Sequence, residues 1–289
     1  MVLVLRTLFM ETTRTPSLVK SLNLQTQSTS ATEAGLLSSA ATVVMVLLLR
    51  IVQEVLIVEF PWSRELPEEL DLNLQLLENQ DKGHVIATCR NPNGAVSLQE
   101  LKIKFPERLN ILQLDVTDES TIEASAKCVQ ERYCSLNLLI NATGVLQPET
   151  TLSQVEKSSL LLAYEVNAAG PILVIKHMWP LLKKGGGSGT GRDVAVVANL
   201  SSRVGSVGDS LLGGWHSYRS SKTALNQLTK TVSVEFGRKK DPIACILLHP
   251  GTVDTDLTKP FQKNIAEGKL LTREFSVQAP RHHQQREEL

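Results

Sequence analysis

A succession of short apolar runs without in-out alternation constrains this chain more than any other feature. His84 to Thr88, Asn110 to Leu114, Leu136 to Ile140, Val194 to Leu200 and Ala244 to Leu248 are rich in Val, Ile and Leu. A strand solvated on one face alternates apolar and polar residues. A strand covered on both faces does not, so these runs predict interior strands of a parallel sheet. Stretches of helical character separate them: Val96 to Lys102, Ser120 to Tyr133, Lys157 to Leu182 with Pro180 near its end, and Tyr218 to Arg238. Strand and helix in alternation make βαβ units, and hence an α/β fold whose doubly wound parallel sheet carries helices on both faces. With 289 residues and 42% hydrophobic content the chain can bury one substantial core, which predicts a single domain.

That domain is expected over residues 55–278, between an atypical N-terminal segment, 1–54, and a polar tail, 279–289. Residues 1–34 are rich in Ser and Thr and carry Arg6, Arg14 and Lys20, a composition shared by flexible tails and organelle transit segments. Ala41 to Phe60 is apolar but cut by Arg50, Gln53 and Glu54. Its uncharged part is shorter than the ~20 residues a spanning helix needs, so no membrane partner is expected. A formal net charge of zero gives no basis for nucleic-acid binding. Cys89, Cys128, Cys134 and Cys245 form no metal-ligand pattern and are expected as reduced thiols, in the cytoplasm or alternatively in a plastid or other organelle.

Within this frame Tyr218 and Lys222 lie four apart on one predicted helix and share a face. The run ending Leu200-Ser201-Ser202 brings a hydroxyl to them from the end of a buried strand. A hydroxyl, a phenol and an ammonium in one small volume suit the reduction of a carbonyl compound. Hydride addition leaves an alkoxide that must receive a proton, and a free tyrosine, with a pKa of about 10, is a sluggish donor at neutral pH. A neighbouring ammonium favours the phenolate and lowers that pKa. The Ser202 hydroxyl would hold the substrate oxygen where charge develops.

These residues resemble the short-chain dehydrogenase/reductase family, and further motifs follow in the family's order. Asn167, in Glu165-Val166-Asn167-Ala168-Ala169-Gly170, stands at the family's active-site asparagine, whose backbone carbonyl helps hold a water beside the lysine. The resemblance thus implies a catalytic set of Asn167, Ser202, Tyr218 and Lys222. Asn141-Ala142-Thr143-Gly144 is similar to the Asn-Asn-Ala-Gly element, and Asp115-Val116-Thr117 matches the aspartate segment that contacts adenine. His249-Pro250-Gly251-Thr252-Val253 matches the segment whose backbone meets the nicotinamide carboxamide. Asp115, Val116, Asn141, Pro250, Gly251 and Val253 are therefore implied to bind cofactor, and Tyr218 and Lys222 to hydrogen-bond its ribose.

The insert Gly208 to His216, with Ala87 to Pro92, is similar to the C-factor and sniffer-like carbonyl reductase branch. The fold so implied is Rossmann-like, with Thr255 to Lys269 as a substrate lid and homo-oligomerisation through the asparagine and tyrosine helices. Arg90 follows the second strand, where an acidic residue would favour the unphosphorylated dinucleotide. A guanidinium there can grip a 2′-phosphate, so NADP is expected ahead of NAD.

One departure from the family is pronounced. The pyrophosphate of a dinucleotide rests on bare backbone N–H groups in a glycine-rich turn between the first strand and its helix. Here no glycine occurs between Gly35 and Gly83, and the segment before the helix-like Leu70 to Leu77 reads Pro61 to Glu69, with Glu65, Glu68 and Glu69 opposing phosphate. Gly185 to Gly191 is no substitute, because it runs from helix into strand and a phosphate loop must run from strand into helix. Nothing in the last residues resembles the family's final helix and strand. The sheet is accordingly expected to be incomplete at its first and last strands, with Val55-Leu56-Ile57-Val58 as the candidate stand-in for the first. A family-derived pseudoenzyme or truncated gene product that binds no dinucleotide stands as the second reading.

Overall fold

The computed structural model of the chain describes residues 54–58, 73, 76–78, 83–186, 194–255, 257–265 and 267–272. Six strands form its main sheet: β1 (Glu54–Val58), β2 (His84–Cys89), β3 (Leu109–Gln113), β4 (Leu138–Asn141), β5 (Ala195–Leu200) and β6 (Ile243–Leu248). They run in the order β3-β2-β1-β4-β5-β6, and every pairing is parallel. The fold is thus the Rossmann-like α/β architecture that the apolar runs predict. The candidate stand-in for the first strand takes that place, so the sheet has no gap there. Glu54–Val58 sits mid-sheet, with Glu54 to Val58 opposite His84 to Thr88 and Val55 to Val58 opposite Leu138 to Asn141. A short β-branched run meets the requirement of an interior parallel position without any glycine turn. Among the described residues the sheet ends at β6, followed by a small parallel pair of β7 (Thr252–Val253) and β8 (Leu270–Leu271). The rest of the C-terminal region, and the Pro61 to Glu69 segment, lie outside the described residues.

Five labelled helices connect the strands: α1 (Val96–Lys104), α2 (Glu119–Tyr133), α3 (Lys157–Tyr164), α4 (Gly170–Gly185) and α5 (His216–Lys239). Both faces of the sheet are covered, and alternate residues of one strand enter different cores. Ile86, Leu139, Ala195 and Val197 pack with Ile122, Val174, Met178 and Phe236 on one side. Val85, Ala87, Leu138, Ile140, Val196 and Ala198 pack with Leu76, Leu77, Leu98 and Leu101 on the other. This division explains why the strand sequences show no alternation.

The helix expected over Lys157 to Leu182 is divided. A π-helical turn, Glu165–Ala169, separates α3 from α4, and Pro180 lies inside α4. By length and composition alone Lys157–Gly185 is long and apolar enough to cross a membrane. Its apolar character has a structural use instead, since α4 buries Val174, Ile175, Met178, Leu181 and Leu182 against the sheet. Where α4 begins, Gly170 lies so close to Val116 that a Cβ would meet the Val116 Cβ at 2.6 Å.

Candidate functional site

Three elements converge at the carboxyl ends of β4 and β5: the loop after β4, the π-helical turn, and the first turns of α5. Tyr218 and Lys222 lie on α5, and both are buried. The Lys222 ammonium donates to the Leu200 carbonyl at 2.7 Å and stands 5.8 Å from the centre of the Tyr218 ring. Burial lowers the Lys222 pKa from 10.5 to about 8, which leaves the side chain largely charged at neutral pH. Ser202 is half-buried two residues beyond Leu200, where β5 passes into a short 3-10 turn, Arg203–Gly205. The strand end that holds the lysine therefore also carries the serine.

Asn167 occupies the middle of the π-helical turn and is fully buried. Such turns insert one extra residue into a helix and recur at functional sites. Its side-chain oxygen accepts from the Val145 N–H at 2.8 Å, and its amide donates to the Val145 carbonyl and to the Ser221 hydroxyl, each at 2.9 Å. Ser221 in turn donates to the Tyr218 carbonyl at 2.9 Å. Asn167 is thus wired to the peptide that carries the tyrosine. A Cβ placed on Gly144 would lie 3.7 Å from both the Asn167 oxygen and the Lys222 nitrogen, so the loop after β4 meets the other two elements at this point. Ser221 escaped the sequence reading. Its signal is its place on α5, three residues after Tyr218 and beside Lys222, where a helix side chain can reach back to the preceding turn.

The residues implied to bind cofactor line the same edge of the sheet. Arg90 follows β2 directly, and Asp115 follows β3 by two residues, with Leu114 N–H donating to the Cys89 carbonyl between them. One oxygen of Asp115 accepts from the Thr117 N–H at 2.9 Å and hydroxyl at 2.7 Å, a turn that fixes the carboxylate. Val116 is buried in the core, against the start of α4. Asn141 closes β4. Its amide donates to Asn199 at 2.7 Å, and Asn199 donates to the Thr229 hydroxyl at 2.8 Å. Pro250 and Gly251, the latter at φ +90, follow β6, and the Val253 side chain is buried in β7. Trp215 faces the Tyr218 ring edge-on at 6.3 Å and the Phe261 ring at 4.7 Å, which joins the expected lid segment to the tyrosine.

The donor set fits a dinucleotide laid along this edge. Strand order reverses between β1 and β4, the switch point where open parallel sheets bind ligands. There the buried Asn141 oxygen has no hydrogen-bond partner among the described residues.

A doubly wound parallel sheet with a helix-borne tyrosine and lysine at its carboxyl edge defines a class of oxidoreductases. Residues 75–266 match the short chain dehydrogenase family, and the chain belongs to that family. It is 34% identical over 148 residues to the 1-hydroxy-2-glutathionyl-2-methyl-3-butene dehydrogenase of a Rhodococcus strain, an alignment taking in 51% of this chain and 60% of that enzyme. The NADPH-bound carbonyl reductase from chicken fatty liver is 34% identical with a TM-score of 0.67, over 78% of this chain and 88% of its own. The Drosophila melanogaster carbonyl reductase Sniffer is 27% identical over the same shares, also with a TM-score of 0.67.

Proposed function

We propose that the chain is an NADP-dependent carbonyl reductase acting on small carbonyl compounds. The observation that carries this reading is the wiring of Asn167, through Ser221, to Tyr218, with Lys222 pinned on the next turn of the same helix. Its similarity to the NADPH-bound chicken enzyme supports the cofactor. Arg90 after β2 supports the phosphorylated form, since a guanidinium there pairs with a 2′-phosphate.

When bound, reduced nicotinamide supplies a hydride to the carbonyl carbon. This chain supplies the rest. The Ser202 hydroxyl donates to the substrate oxygen and orients it as negative charge builds. Tyr218 gives its phenolic proton to that oxygen, completing the alcohol. Lys222, charged below about pH 8, stabilises the resulting phenolate. Asn167 keeps the tyrosine turn and the loop after β4 in register.

Titration of purified protein with NADPH tests this reading. Ligand at 100 times its dissociation constant should stabilise the fold by about 2.7 kcal/mol. The glycine-free run before Leu70 favours the competing reading, a family-derived protein that binds no dinucleotide. An unmoved thermal midpoint and unmoved nicotinamide fluorescence at millimolar NADPH would select that alternative.

A further inference from the structure

A buried carboxylate outside the set already described holds the start of the helix that bears the tyrosine. Glu149, in the loop after β4, is 4% exposed. One of its oxygens accepts from the Ser217 N–H at 2.8 Å, and the other accepts from the Ser217 hydroxyl. Its own backbone carbonyl accepts from the Trp215 N–H at 2.6 Å. A single residue therefore grips α5 through main chain and side chain, on either side of His216 and next to Tyr218. The first N–H groups of a helix have no partner within it, and a carboxylate there also suits the helix dipole.

The chain it grips is strained at Trp215. Gly213, Gly214 and Trp215 have φ values of +63, +67 and +49, three successive left-handed residues of which the last bears a side chain. A Cβ on Gly214 would lie 3.1 Å from the Glu149 carbonyl, so the approach needs a bare residue. Arg219 closes the other side, donating from Nε to the Gly214 carbonyl at 3.1 Å and from Nη1 to the Asp209 carbonyl at 2.8 Å. Strain of this kind persists only where its surroundings over-determine it. Here the surroundings are Glu149 on one flank and Arg219 on the other, with the phenol between them in sequence.

We infer that Glu149 is a positioning residue: it seats the first turn of α5 and thereby fixes the Tyr218 hydroxyl for proton delivery. The second half of this inference rests on the reductase reading, while the first half does not. No sequence motif marks Glu149, because its partner lies 68 positions away.

Hydrogen exchange and steady-state kinetics on the full chain test it together, with Glu149→Ala as the first variant. Amides of the first turn, Ser217 to Arg219, should exchange faster while those of Leu225 to Phe236 keep their protection. Turnover should fall about tenfold to a hundredfold, as expected of a misplaced reacting group, with the NADPH dissociation constant unchanged. Glu149→Gln keeps one acceptor and the side-chain volume, and it should fall between wild type and Glu149→Ala on both readouts. It also serves if the alanine variant does not fold. Unchanged exchange at 217–219 in either variant would overturn the seating role, and faster exchange with unchanged kcat would overturn the positioning role. Faster local exchange in the variants, with no turnover in the wild type, would uphold the seat and sink the reductase reading instead.

Discussion

Lys222 on α5 donates to the Leu200 carbonyl at the end of β5, 2.7 Å away, so one hydrogen bond ties the cation to the strand end that leads into Ser202. The tie is made in a buried place, and burial depresses the lysine pKa from 10.5 to about 8. Between those values the unfolded chain binds more protons than the folded one, so stability rises with pH across the window. Below about 8 the full cost of the buried charge is present. Relative to Lys222→Met, the wild type should therefore gain on the order of 3 kcal/mol between pH 8 and pH 10.5. Urea unfolding of both proteins along that pH series measures it; a constant difference would show that the ammonium is not desolvated. Carbonyl turnover should move the opposite way, declining as Lys222 loses its proton.

Asn167→Ala tests the clamp on the loop after β4. The substitution removes three side-chain hydrogen bonds and leaves both polar groups of the buried Val145 peptide without their partner. Stranded buried groups cost about 1–3 kcal/mol each, so a loss of about 2–6 kcal/mol is expected in denaturant unfolding. A change within experimental scatter would mean that water replaces the amide.

The sheet and the tyrosine-lysine pair were legible in the sequence because both are local. Unalternating apolar runs report strands covered on two faces, and a spacing of four on a helix reports a shared face. Val55 to Val58 carried the same signal for β1, even where the expected glycines are missing. What stayed hidden depends on partners far apart in the chain or on backbone geometry. The π-helical turn at Glu165–Ala169 has no compositional mark, and it splits a helix that reads as continuous. The chain Asn141 to Asn199 to Thr229 links three elements through side chains whose separations of 58 and 30 positions no motif encodes. Trp215 in a left-handed conformation runs against its own preference and is visible only in the fold.

Gly170→Ala probes the contact between α4 and the turn after β3. The new Cβ would meet the Val116 Cβ at 2.6 Å and the Val116 carbonyl at 3.1 Å, and the atoms it meets are on or next to backbone. Overpacking of this kind costs about 1–3 kcal/mol, set against roughly 1 kcal/mol that alanine gains over glycine in a helix. The thermal midpoint should drop. A raised midpoint would mean that the turn after β3 shifts freely, and with it the Asp115 carboxylate.

His249, directly before Pro250, supplies an acid-side prediction. Burial, with the Arg203 cation adding to it and the Asp209 anion opposing, lowers its pKa from 6.5 to about 4. Its Nδ1 is buried without a hydrogen-bond partner among the described residues, which favours the neutral ring. Between pH 6.5 and pH 4 the unfolded chain holds the extra proton, so the folded state loses stability as pH falls through that window. His249→Gln removes the titration and should flatten the acid limb by on the order of 2–3 kcal/mol relative to wild type. Chemical unfolding at pH 7, 6, 5 and 4 gives the comparison, and parallel acid limbs in the two proteins would show that the imidazole is solvated and charged in the fold.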